Sequence, residues 1–178
     1  MTFTVTEGQS GKIWENQGVG DNGKFLREFK QRLVDCWKQE WHAGLDGKDR
    51  YLLYRSCKAY PELSLYIVEI THVQMRAVYT RFILGVSPLK THKLRFSKET
   101  NVDKSCPFCD GEEESELHFT FICPMYMPLR NELIPAKYFR QPNLFRLTLL
   151  LATKNKTVYF NTIKYVYEAF KTREDNLG

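Results

Sequence analysis

Residues 105–123 read SCPFCDGEEESELHFTFIC and hold three of the chain's five cysteines, Cys106, Cys109 and Cys123, together with His118. The spacing is Cys-x2-Cys-x8-His-x4-Cys. Two cysteines separated by two residues place both thiolates on one side of a tight turn, where backbone amides can also donate to the sulfurs. A histidine on a following helical turn and a further cysteine complete a tetrahedron. Zinc suits such a set because it accepts soft sulfur and borderline nitrogen and has no ligand-field geometry to satisfy. Four protein ligands leave no position open for water. One structural Zn2+ on Cys106, Cys109, His118 and Cys123 is therefore expected to stabilise the fold rather than to hydrolyse a substrate. Three cysteines cannot all pair among themselves, so the pattern speaks against disulfides and for a reducing, intracellular setting, nuclear or cytoplasmic. Cys36 and Cys57 read as core or half-buried thiols.

The same segment is an acidic island in a basic chain. The 178 residues carry a net charge of +5, with 43% apolar and 26% charged side chains, the composition of a single globular domain. Residues 24–104 hold sixteen basic against nine acidic side chains, whereas 105–123 hold five carboxylates and no base. From Arg76 to Lys98 the chain has Arg76, Arg81, Lys90, Lys93, Arg95 and Lys98 without one carboxylate. That run is the expected footprint for RNA or DNA phosphates, with Lys137, Arg140 and Arg146 as extensions. The zinc loop, with Asp110, Glu112, Glu113, Glu114 and Glu116 around its thiolates, should repel phosphate. Its alternative use is as a docking surface for a basic protein partner. No apolar run approaches the roughly 20 residues of a membrane helix, so no membrane is expected.

Helical periodicity dominates on both sides of the loop. Phe25, Leu26, Phe29, Leu33, Cys36, Trp37 and Trp41 form one face of a helix over 24–42, with Asn22 as cap and Gly44 as stop. A shorter helix is expected over 48–58, while 62–70 fits helix or strand. Thr71 and Gln74 have capping-box spacing ahead of the stripe Met75, Val78, Tyr79 and Phe82, which Gly85 ends. Ser87 and Pro88 then read as the cap and first turn of a helix to Phe96, with His92 half-buried. Helices over 127–134, 144–152 (capped by Asn143) and 158–171 follow, the last with Ile163, Val166, Tyr167 and Phe170 inward. The expected architecture is mostly α: a compact helical domain over 24–173, with a Cys3His zinc knuckle between helices. Residues 1–23 read as a loosely docked or disordered lead-in, and 174–178 as a tail.

The segment resembles a known family. Cys106-Pro-Phe-Cys109, the acidic stretch, Glu116-Leu-His118-Phe119, Cys123-Pro124, Tyr126 and Arg130 are similar to the zinc-binding region near the carboxyl terminus of non-LTR (LINE-type) retrotransposon reverse transcriptases. Upstream, Thr80-Arg81-Phe82-Ile83-Leu84-Gly85 looks like that family's Arg-rich pattern ending in glycine, and Trp37, Trp41, Tyr51, Tyr54, Lys58 and Tyr66 look like its aromatic lead-in. The resemblance implies contact with element RNA or target DNA near a polymerase. The polymerase's paired-aspartate turn is missing from these 178 residues. Asp175 is the only aspartate after Cys123, which leaves no place for the acidic signature of the endonuclease found in some relatives. The expectation is a non-catalytic, zinc-stabilised module derived from such a carboxyl terminus, binding RNA or DNA non-specifically through basic helices.

Overall fold

The computed structural model describes residues 22–48, 51–58, 60–95, 103–109 and 112–177. The chain divides into two compact units, Met1–Asp46 and Gly47–Gly178, so the domain expected over 24–173 is split near its start.

The described part of the first unit is one helix, α1 (Asn22–Leu45). Phe25, Phe29, Leu33, Trp37 and Trp41 recur every four residues and wind around one face. Short-range pairs hold the helix: the Phe25 and Phe29 rings stack at 6.0 Å, and Gln31 donates to Asp35 at 2.9 Å. Asn22 lies inside the helix rather than capping it, and Gly44 does not end it. The stop falls at Gly47, whose φ of 69° is a left-handed backbone that a side chain would strain. Phe25, Leu26, Phe29, Leu33 and Trp37 are exposed, as is Cys36, which the pattern placed in a core.

The second unit is helical throughout its regular structure: α2 (Leu52–Cys57), α3 (Leu65–Glu69), α4 (Val73–Ile83), α5 (Lys90–Leu94), α6 (Met127–Leu133), α7 (Ala136–Phe139), α8 (Leu144–Leu151) and α9 (Lys156–Leu177). A π-helical turn over His118–Ile122 and a 3-10 turn over Pro124–Tyr126 precede α6. There is no strand among the described residues; a single bridge joins Ser105 and Glu113. The segment 62–70, open to either reading in the sequence, is helical over α3.

The core lies where α4 and α9 pack together, with α6 and α8 against α9. Phe119 is its hub, with Phe170 at 4.5 Å, Tyr126 at 4.8 Å and Phe82 at 5.7 Å between ring centroids. Each such ring contributes roughly 1.5–3 kcal/mol by leaving water, and each aromatic pair about 0.5–1.5 kcal/mol more. Along α9, Ile163, Val166, Phe170 and Arg173 fall on one buried stripe, and Tyr165 rather than Tyr167 is its fully buried tyrosine. The helix runs through the expected tail to Leu177.

The helix ends show which local signals prevailed. Asn143 caps α8 as expected, accepting from the Arg146 amide at 2.9 Å. Gly85 ends α4 with φ 67°, the Gly85 amide donating to the Phe82 carbonyl and the Val86 amide to that of Arg81, a Schellman pattern. The N-cap of α4, however, is His72, whose Nδ1 accepts from the Met75 amide at 3.1 Å, in place of the Thr71 and Gln74 box. Ser87 does not cap α5 either; that helix starts after Leu89, and Ser87 turns inward to His92.

Candidate metal centre

The ligand atoms of Cys106, Cys109, His118 and Cys123 all lie within 4.8 Å of one another. Local structure brings them together. Cys106 and Cys109 flank a turn closed by the Cys106 amide on the Glu112 carbonyl at 2.8 Å, with the Ser105 and Glu113 bridge at its base. The other two ligands sit at the ends of the π-helical turn, where the Cys123 amide donates to the His118 carbonyl at 2.8 Å. Five residues of α-helix would set these side chains roughly 140° apart around the axis. The wider ring brings Cys123 around by one turn, so the four-residue gap after His118 works because the helix is not α.

A widened turn leaves carbonyls without intrahelical partners, and buried carbonyls need them. Arg130, 3% exposed, supplies two donors: Nε to the Thr120 carbonyl and Nη2 to the Cys123 carbonyl, both at 2.8 Å. The Tyr165 hydroxyl donates to the Phe119 carbonyl at 2.8 Å. Arg130, part of the family-like pattern in the sequence, thereby fastens the segment that carries His118 and Cys123 to α6.

The donor set fits a metal ion. The Cys106 and Cys123 sulfurs are 3.8 Å apart, far from the roughly 2.05 Å of a disulfide and close to the roughly 3.8 Å that separates two sulfurs each about 2.3 Å from a tetrahedral centre. His118 Nε2 faces the Cys109 sulfur at 3.2 Å, and His118 Nδ1 is 2.8 Å from the Glu112 carboxylate. With Nδ1–H donating to Glu112, the Nε2 lone pair is free to ligate, the usual arrangement of a carboxylate behind a metal-binding histidine. Burial pushes the Cys123 thiol up to about 12, with the Met125 amide pulling against it, and burial also raises Cys109 beside Cys106. Thiols that resist ionisation on their own lose their protons to a coordinated cation. Tyr126 is 1% exposed, and its hydroxyl is the one buried side-chain polar atom without a hydrogen-bond partner among the described residues. Burial pushes that phenol well above its ordinary value, with Cys123 and Glu114 adding to the rise and Arg173 opposing it.

The acidic island is used differently from the sequence expectation. Glu112 backs His118. Glu113 pairs with Lys104 at 3.7 Å. Glu114 is 1% exposed and holds Arg173 in a two-pronged pair, Nε to Oε1 at 2.7 Å and Nη2 to Oε2 at 2.9 Å. Glu116 takes His92 Nε2 at 2.6 Å and Arg95 at 3.4 Å. Burial works against the Glu116 charge, but His92 and Arg95 more than offset it and hold the carboxyl below its ordinary value. Every described carboxylate of the island thus has an internal partner; Asp110 lies outside the described residues.

These carboxylates hold α5 in place. The Lys90 amide donates to Glu114 Oε2 at 2.8 Å, and the Thr91 hydroxyl donates to the Glu114 carbonyl at 2.9 Å. His92, expected half-buried, is fully enclosed, accepting from the Ser87 amide on Nδ1 at 3.1 Å. Of the expected nucleic-acid residues, Lys90 is paired with Asp103 at 2.7 Å and Arg95 with Glu116, while Arg76 donates to the Ile67 carbonyl at 2.9 Å. Arg81 and Lys93 are exposed and make no ion pair among the described residues. Lys98 lies outside those residues. Of the extensions, Arg146 turns back onto the Lys137 carbonyl and Gln141, and Arg140 is exposed.

Fold and site together define a protein that is helical, without strands, among the described residues, with a Cys3His group able to hold one metal ion. The chain matches no protein-family model, no curated protein and no solved structure. No described helix is long and apolar enough to cross a membrane.

Proposed function

We propose that this chain is a non-catalytic, zinc-stabilised module that grips RNA or DNA with little sequence preference. The observation that carries the reading is the hydrogen-bonded path from the ligand loop to α5, in which Glu114 and Glu116 hold Lys90, Thr91 and His92. Zinc is the ion that three thiolates and one imidazole favour, and it supplies folding energy at a site with no position left for a reacting water. The loop's own carboxylates are consumed in holding the neighbouring helix, and Arg81 and Lys93 are left to meet phosphates. The likeness to the zinc region of non-LTR reverse transcriptases supports the same assignment.

The test is retention of single-stranded and duplex oligonucleotides by zinc-loaded protein at low salt. Binding should fall steeply as salt rises, because each neutralised phosphate releases counterions, and should differ little between sequences. Arg81→Glu with Lys93→Glu should weaken every probe alike. No retention at low salt would overturn the reading.

A further inference from the structure

At the other end of α9 from the Arg173 pair, a cleft of about 210 Å3 opens between α2, the loop to α3, α4 and the start of α9. Tyr159, which lines it, and Arg173 are fourteen residues apart, roughly 21 Å along the helix. The cleft thus sits at the opposite end of α9 from the Arg173–Glu114 pair.

Its lining combines two chemistries. Four tyrosines, Tyr54, Tyr66, Tyr79 and Tyr159, contribute to the walls. Tyr66 and Tyr79 are almost wholly buried and pack edge to face at 5.1 Å, so they form the floor. Tyr54 and Tyr159 are only partly buried: Lys58 Nζ stands 6.0 Å from the Tyr54 ring centroid, and the Tyr159 ring meets the edge of Tyr79 at 6.3 Å and lies in the wall of the cleft. Three lysines, Lys58, Lys154 and Lys156, line the same space against one carboxylate, Glu62. Lys58 is committed to the Glu62 carbonyl and the Ser64 hydroxyl, and Lys156 to Glu69 at 2.9 Å. Lys154 is exposed and has no ion pair among the described residues. A partly exposed Tyr159 ring beside the unpaired Lys154 cation suits a planar ring that carries a negative group.

Size narrows the class. Sites that enclose a whole small molecule run to roughly 300–1,000 Å3, so this cleft takes one unit of something larger. Base stacking on aromatic side chains with lysine beside the backbone is how single strands are held without sequence readout. We propose that the cleft seats one unpaired nucleotide of a nucleic-acid strand, its base against Tyr159 and its phosphate on Lys154. This rests on the nucleic-acid reading above and adds to it a preference for single strands over duplex, because a paired base cannot leave its stack without losing its partner.

Cys57 lines the cleft and serves as reporter. The experiment measures affinity of the zinc-loaded full chain for a single-stranded oligonucleotide and for a duplex of the same sequence, with residue-resolved alkylation of Cys57 in the presence of each probe and of adenosine 5′-monophosphate. The single strand should slow Cys57 alkylation, and Tyr159→Ala or Lys154→Glu should cost about tenfold in single-strand affinity while duplex affinity holds. Tyr159→Phe keeps the ring and should retain most of it. Lys154→Glu lies at the surface, so its result does not depend on refolding of the core. Unchanged single-strand affinity in both cleft variants, with Arg81→Glu still damaging, overturns the cleft and leaves the broader reading standing. If no strand of either kind binds, that reading fails; protection of Cys57 by the mononucleotide then supports the cleft by itself, and absence of protection overturns it too.

Discussion

Arg173 and Glu114, 59 residues apart in the chain, meet as a buried two-pronged ion pair, with Nε 2.7 Å from Oε1 and Nη2 2.9 Å from Oε2. Glu114 also accepts the Lys90 amide, so one carboxylate joins the last turns of α9 to the ligand loop and to α5. Removing one member of such a pair leaves an uncompensated buried charge. Arg173→Met should cost about 3–5 kcal/mol of stability in denaturant unfolding, whereas Arg173→Met with Glu114→Leu should recover part of that loss. Equal destabilisation by the single and double variants would show that the charge is not what matters.

Chelation should act on the same region. With the metal removed, or with Cys109→Ser, the segment from Ser105 to Pro135 loses its staple and the basic α5 its support. Thermal denaturation with and without chelator, alongside elemental analysis, measures this. A thermal transition that survives complete metal removal unchanged would rule out a structural role.

Glu112 offers a more selective probe. Its carboxylate is exposed on its outer side yet lies 2.8 Å from His118 Nδ1. Glu112→Ala should weaken metal affinity by about 10- to 100-fold, the usual cost of losing the group behind a ligating histidine, and leave the metal-free fold as stable as before. Competition with a chromophoric chelator reads the affinity directly.

The Tyr126 hydroxyl has no hydrogen-bond partner among the described residues, and a buried orphan of this kind costs about 1–3 kcal/mol. Tyr126→Phe should therefore stabilise the metal-free protein. Thermal midpoints of Tyr126→Phe and the parent chain, both free of metal, measure that gain; an unchanged or lowered midpoint would contradict it.

Alkali should destabilise the second unit. Burial raises Cys57 from its ordinary 9.0 to about 11, with Ser56 opposing, and raises Tyr159 from 10.0 to about 12, with the Tyr66 side chain adding to it and a hydrogen bond to the Tyr66 backbone opposing. Both groups keep protons that the unfolded chain gives up. The stability they contribute is whole below pH 9.0 for the thiol and 10.0 for the phenol, and it is lost as pH climbs through the folded-state values. A thermal midpoint that is flat to pH 9 and falls beyond it is the expected profile; Cys57→Ala should make the early part of that fall shallower.

The features legible in the sequence are those whose causes lie within a few residues. The four ligands follow from spacing, Gly85 ends α4 because its backbone needs a positive φ, and Asn143 caps α8 because its side chain reaches an amide three residues on. The apolar stripes of α4 and α9 follow from helical period. Where two local signals competed, the tertiary setting chose between them: His72 took the cap from Thr71 and Gln74, and Ser87 gave up a helix start to serve His92.

The ligand set, the helical class and the uneven charge were thus fixed by residue types and short spacings, because coordination chemistry and helix geometry act locally. The fate of the charges was not. The acidic island looks like an open anionic loop in one dimension, yet Glu114 finds Arg173 59 positions away and Glu116 finds His92 24 positions away. A buried charge is tolerable only beside its partner, and only the folded chain determines which partner is within reach.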